Sequence, residues 1–190
     1  MEAVLKKELT GSKTLNMAIG VCFFLTLTAL GAFVRVPLPF TPVPITLQTF
    51  FVLLSGAFLG RRSGSFTQLL YLVTGVCGAP IFTGAASGWI YLLGPTGGYF
   101  FGFILAAFFT GRFIGYSEKS PLRVFGLFFL ADLLLLSCGS LWLKVIAGIS
   151  FQKALLIGFL PFIAPDLLKA AAAALIFFKL RLRLKEIFSA

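Results

Sequence analysis

Unbroken apolar runs constrain this chain more than any other feature. Stretches such as Leu15–Val36 and Val124–Ile146 are close to continuous apolar sequence. A bilayer core about 30 Å thick is crossed by roughly 20 such residues in a helix. The runs are not isolated: 59% of the 190 residues are hydrophobic and 12% are charged, against roughly 45–50% and about 25% in a soluble domain. A soluble fold of this length lacks the interior to hide so much apolar surface, and disorder requires the opposite composition. Barrel strands alternate apolar with polar residues, which this chain does not do. The expected fold class is an all-α integral membrane protein, one transmembrane domain over residues 1–190.

Absences bound the chemistry. The chain has no histidine, which removes histidine-based catalysis, metal ligation and proton relay. Cys22, Cys77 and Cys138 stand far apart with no CxxC pair and read as small buried fillers; no metal site and no catalytic residue is expected. A net charge of +10 would suggest nucleic acid in a soluble protein. No basic patch interleaved with exposed aromatics accompanies it, so nucleic acid is rejected. Ser12-Lys13-Thr14 imitates the end of a phosphate loop, yet serine rather than glycine stands immediately before the lysine and no strand leads into it.

Six spans are legible. The first is Leu15–Val36. Lys6, Lys7 and Lys13 before it, and Ala29-Leu30-Gly31 within it, imitate a signal peptide, but the apolar stretch exceeds the usual signal core of about 7–15 residues, so it reads as a retained helix. Residues 37–46, PLPFTPVPIT, hold four prolines and form a stiff extended loop. The second span covers about Ile45–Gly60 and the third about Ser65–Ala79, with Arg61 and Arg62 marking a tight turn. Pro80–Gly98 is Gly-rich. The fourth, fifth and sixth spans cover about Tyr99–Gly115, Val124–Ile146 and Ala154–Leu180, the last interrupted by Pro161 and Pro165. With both termini inside, Lys6, Lys7, Lys13, Arg61, Arg62, Arg112, Lys119, Arg123, Lys179, Arg181, Arg183 and Lys185 are cytoplasmic. Only Arg35, Lys144, Lys153 and Lys169 are outside or in the membrane. Positive charge collects on the inner side, so this orientation is expected; a five-span reading would split the charges poorly.

That topology puts the Pro-rich loop, the Gly-rich segment and the Pro-broken start of the sixth span on one outer face. Irregular backbone at membrane depth is tolerated where it lines a cavity or is buried in protein, and broken helices mark binding sites in transporters. An outward-facing pocket is expected there. Asp166 and Lys169 are three residues apart and share a helix face. They read either as an internal ion pair or as ligand contacts, Asp166 accepting N–H groups and Lys169 donating to a carbonyl or carboxylate. Gly94–Tyr99, GPTGGY, allows close backbone approach or makes a simple re-entrant turn. Trp89, Tyr91 and Tyr99 read as an interfacial belt or as a wall for a flat ligand. Gln48 can enter the outer pocket, and Gln68 reads as a link between helices. Asp132, roughly 13 Å into its span at 1.5 Å per residue, reads as a hydrogen-bonding group or a proton carrier.

VPITLQT (43–49), LGRRSG (59–64), YLVTGVCGAPIF (71–82), LLGPTGGYFFGF (92–103) and LPFIAPDLLKA (160–170) together resemble the BioY family, the biotin-binding S components of energy-coupling-factor (ECF) vitamin transporters. The strings run in order over nearly the whole chain. The resemblance implies a non-enzymatic six-helix S component in a prokaryotic cytoplasmic membrane, with both termini cytoplasmic. Biotin is the implied ligand and no cofactor is implied; a membrane T subunit and two ATPase subunits are the implied partners. It implies ligand contacts at Asp166 and Lys169 and in the stretch after the Pro-x-Phe string, while Gln48, Tyr71, Phe82, Trp89, Gly97, Gly98 and Tyr99 complete the candidate contacts. After the Pro-x-Phe string this chain reads FTGAASG, with Thr83 and Ser87 as its polar side chains. Docking of the T subunit is implied on small residues of the first helix, here Ala18, Cys22 and Thr26, or Thr28 and Ala32. A solitary transporter, a ligand-free membrane scaffold and an intramembrane enzyme using Asp132 with Asp166 are the competing readings.

Overall fold

The computed structural model describes residues 13–188, with side chains for 14–182. Lys6 and Lys7 lie outside the described residues, as do the side chains of Lys13, Arg183 and Lys185. Helix α1 spans Lys13–Phe33. A short antiparallel ribbon follows, β1 (Arg35–Val36) and β2 (Ile45–Thr46), pairing Arg35 with Thr46 and Val36 with Ile45. The ribbon closes the Pro-rich loop into a defined flap. Its remaining elements are α2 (Gln48–Val76), the single turn α3 (Trp89–Leu92), α4 (Gly97–Ser117), α5 (Pro121–Ala147), α6 (Phe151–Gly158) and α7 (Leu160–Phe188).

Helix α2 is a hairpin. Gly60 breaks it with φ 77° and ψ 177°, a conformation open to glycine and costly for other residues. Gln68 Nε2 donates to Ser55 Oγ at 3.0 Å, and Gln48 Nε2 to Tyr71 Oη at 2.7 Å. A straight helix would put residues 48 and 71 about 35 Å apart, so the arms on either side of Gly60 run antiparallel. A Cβ on Gly64 would fall 2.7 Å from Gly56 Cα, which fixes how closely the arms pack. The reversal lies at Gly60, one residue before the arginine pair. The first arm starts at Gln48 rather than Ile45, because Ile45 and Thr46 pair in the ribbon.

Glycines also set the next two layers. A Cβ on Gly56 would lie 2.4 Å from the Ala107 carbonyl oxygen, which locks α2 to α4. Gly98 and Gly102, one turn apart on α4, face Trp142 and Leu135 of α5 at 2.1 Å and 2.9 Å from their would-be Cβ atoms. Small residues at this spacing let helices in lipid approach by backbone contact. Inside the bundle Phe24, Phe58, Phe128 and Phe177 pack ring on ring. Phe23, Phe33, Phe66, Phe101 and Phe108 are exposed on its outer surface.

Two expectations change. The last span divides at Phe159 (φ −127°, ψ −60°), not at a proline. Pro161 sits in the first turn of α7, where a missing N–H costs nothing, and Pro165 lies within the helix. Cys22 and Cys77 are exposed and Cys138 is half-buried, so the cysteines are not buried fillers; a thiol fits an apolar exterior as well as a core. Among the described residues, four helical stretches are long and apolar enough to cross a membrane: Thr14–Phe33, Gly97–Ser117, Pro121–Ala147 and Phe151–Leu182. The arms of α2 fall outside that group, being short and lined with polar groups that meet inside the protein.

Candidate functional site

The flap, the Gly-rich segment and the first turns of α4 and α7 converge at one end of the bundle. Beneath them lies a chamber of about 50 Å³. Val43, Pro44 and Thr46 of the flap cover it. Gln48 and Thr49 begin α2, Thr83 and Thr96 enter from the Gly-rich segment, and Asp166 and Lys169 enter from α7. Tyr99, Phe100, Phe103, Leu135, Leu136 and Phe162 form the apolar wall.

Lys169 Nζ lies 2.5 Å from Asp166 Oδ1 and donates to Thr49 Oγ1 at 2.9 Å. Asp166 is 1% exposed, and its Oδ2 has no hydrogen-bond partner among the described residues. The three-residue spacing on α7 makes the pair, and the start of α2 supplies its third member. A buried carboxylate oxygen left open beside a neutralised ammonium is ready to accept an N–H from a ligand.

Gln48 is fixed from three sides. Its Nε2 is committed to Tyr71 Oη, which donates on to the Ile81 carbonyl at 2.9 Å. Its Oε1 accepts from Thr83 and Thr46, each at 3.3 Å. One amide thus ties the hairpin to the flap and to the Gly-rich segment. Tyr99 donates to the Gly158 carbonyl at 2.5 Å and lies against Gly139, where a Cβ would be 2.2 Å from its ring. That glycine lets α5 approach closely enough to leave the Tyr99 ring as a chamber wall.

Five of the residues expected at the site therefore line the chamber: Gln48, Thr83, Tyr99, Asp166 and Lys169. Tyr71 and Phe82, both fully buried, stand behind it. Tyr71 holds Gln48, and Phe82 packs on Phe100 with ring centroids 4.7 Å apart. Gly97 and Gly98 lie outside the lining, packed on the Leu92 carbonyl and on Trp142. Ser87 lines a separate surface groove with Pro42, Tyr91 and Thr96. Trp89 is 67% exposed and faces away, as a belt residue would. Thr49, Thr96 and Phe103 escaped sequence reasoning, although all three lie within the strings that carry the resemblance. Leu135 and Leu136 left no signal, because apolar residues in an apolar span are indistinguishable.

Asp132 is fully buried on α5, one turn inward of Leu136, and neither carboxylate oxygen has a partner among the described residues. It is near enough to Asp166 and Lys169 to interact electrostatically with both, yet no hydrogen bond joins it to Asp166. Gln68 bridges Ser55 and, at 3.4 Å, Thr28 of α1, the interhelical link expected of it. No cluster of three potential metal ligands occurs among the described residues.

Comparison with known proteins points one way. Residues 5–186 match the BioY family. A probable biotin transporter BioY from Pyrococcus horikoshii is 41% identical over 156 residues, covering 82% of this chain and 90% of its own length. The biotin transporter BioY of Thermotoga maritima is 37% identical over 158 residues, covering 83% and 91%. Among solved structures, the S-component for biotin from an ECF-type ABC transporter matches with a TM-score of 0.81 at 25% identity, covering 88% of this chain and 92% of that one.

Proposed function

The chain belongs to the BioY family, and on that premise we propose that it captures biotin for uptake across a prokaryotic cytoplasmic membrane, as the S component of an ECF-type transporter. The observation that carries the reading is the Asp166–Lys169 pair, buried beneath the flap with Asp166 Oδ2 open. Biotin offers two ureido N–H donors, a ureido carbonyl, an apolar sulfur ring and a carboxylate tail. Asp166 takes a ureido N–H, Lys169 turns toward the carbonyl, and Tyr99, Phe100 and Phe162 wall the ring. Neither bond-making nor bond-breaking is required of any of these groups, which suits a protein that binds and releases its ligand unchanged.

A chamber of about 50 Å³ is far smaller than the roughly 300 Å³ or more usual for a small-molecule site. Ligand entry therefore requires Val43, Pro44 and Thr46 to lift. The flap is built for that motion: two pairs of ribbon residues hold it at its base, and its prolines keep it rigid between them. Counting each arm of α2 as one crossing and α6–α7 as one gives six crossings with both termini cytoplasmic, and the flap end outside. On α1, Ala18, Cys22 and Thr26 are exposed while Thr28 and Ala32 are buried. The first row is thus the face open to a membrane T subunit coupled to two ATPases.

Biotin titration of the purified protein in detergent tests the ligand assignment, and binding no tighter than millimolar overturns it. Uptake into cells carrying this chain with and without a T subunit and ATPases separates module-dependent import from solitary transport.

A further inference from the structure

The chamber does not end at the flap. Pro44 and Thr83 line both it and a second groove of about 260 Å³, whose other walls include Thr41, Tyr91 and Arg35. Arg35 is exposed, and it forms no ion pair or hydrogen bond with another side chain among the described residues. Its guanidinium lies over Gly84: a Cβ there would fall 2.6 Å from Arg35 Nη1. Gly84 has φ +79°, so glycine provides both the loop conformation and the space for the guanidinium. The cation thus sits in the groove wall, where the ribbon meets the Gly-rich segment.

Charge balance gives this arginine a task. Lys169 and Asp166 neutralise each other in the inner chamber, so an anionic group entering there finds no net countercharge. At the same end of the bundle stand Lys144 and Lys153, near Trp142 and Gly158, which bond to the Gly-rich segment and to Tyr99. Two described acids remain: Asp132 is fully buried on α5 beneath the pair, and Glu118 follows the far end of α4, about 30 Å away along a 21-residue helix. This face therefore attracts anions, and cations around a cleft raise the local concentration of an oppositely charged ligand.

We propose that Arg35 and the outer groove form a carboxylate subsite that makes the pocket select ligands carrying a free acid. The inner chamber takes the neutral polar head, and the planar guanidinium takes the carboxylate at the end of an apolar tail lying along Tyr91. A two-pronged guanidinium–carboxylate contact is directional as well as charged, so it discriminates an acid from its amide. This subsite rests on the biotin reading above.

The test compares biotin with biotin amide, titrated against purified wild-type, Arg35→Gln and Arg35→Lys proteins in detergent. Wild type is expected to bind biotin about 10-fold more tightly than the amide, the effect of one charged hydrogen-bonded contact. Arg35→Gln is expected to lose that preference while keeping wild-type affinity for the amide, and Arg35→Lys to retain part of it. Arg35→Gln with undiminished preference overturns the subsite. Equal loss of both ligands overturns it too, because it assigns Arg35 a purely structural role. A wild-type protein that binds neither ligand overturns the biotin reading itself and the subsite with it.

Discussion

Gln48 and Tyr71 stand on opposite arms of the α2 hairpin, and a 2.7 Å hydrogen bond joins their side chains. The bond places the first residue of one arm beside the last turns of the other. It also leaves Gln48 Oε1 facing Thr83, so the closing of the hairpin and the shape of the chamber are set by one contact.

Tyr71→Phe removes the acceptor for Gln48 Nε2 and the donor to Ile81 while keeping the ring that packs on Phe82. Two buried groups lose a partner, each worth about 1–3 kcal/mol. The expected outcome is a lower Tm in detergent and weaker biotin binding. An unchanged Tm means that Gln48 finds another partner without cost.

Asp166→Asn and Lys169→Met each leave a buried charge without its counterpart, which costs ~3 kcal/mol or more. Each is expected to lower Tm and to weaken biotin binding by about 10-fold or more. Combined, they are expected to restore much of the stability but none of the affinity. Near-normal affinity in both single variants would show an ion pair that only braces α7.

Gly60→Ala isolates backbone strain, since a Cβ there meets nothing within 4 Å. The expected cost is about 1–3 kcal/mol. Gly60→Asn is expected to do no better: at ψ 177° the residue lies outside the left-handed well that asparagine tolerates. Rescue by asparagine, read as recovery of Tm, contradicts this geometry.

Asp132→Asn replaces a fully buried carboxyl whose oxygens hold no hydrogen bond among the described residues. It is expected to leave Tm unchanged or raise it, in contrast to Asp166→Asn, because the removed group satisfies no partner. A large drop in Tm would identify Asp132 as a brace between helices.

Much of this arrangement was legible in the chain. The unbroken runs located α1, α4 and α5 to within a few residues, and Asp166 with Lys169 stood out because charge is costly in an apolar span. Less visible were features that depend on two segments meeting. Thr49 becomes the third member of the ion pair because the hairpin brings it to α7, a contact 120 residues away. Gly97 and Gly98 look like ligand-approach glycines in sequence. In the structure the space they leave is taken by the Leu92 carbonyl and Trp142, since helix packing and ligand approach require the same missing side chain. Phe159 ends α6 although two prolines follow within six residues, because a proline in the first turn of a helix starts it rather than breaks it.

The Gly60 hairpin also bears on how the protein is made. Gln68 donates to Ser55 across its two arms and Gln48 donates to Tyr71, and an unpaired polar group costs several kcal/mol in hydrocarbon. Neither arm is then a competent passenger by itself during synthesis. The two arms are expected to enter the lipid together, already paired, rather than one after the other.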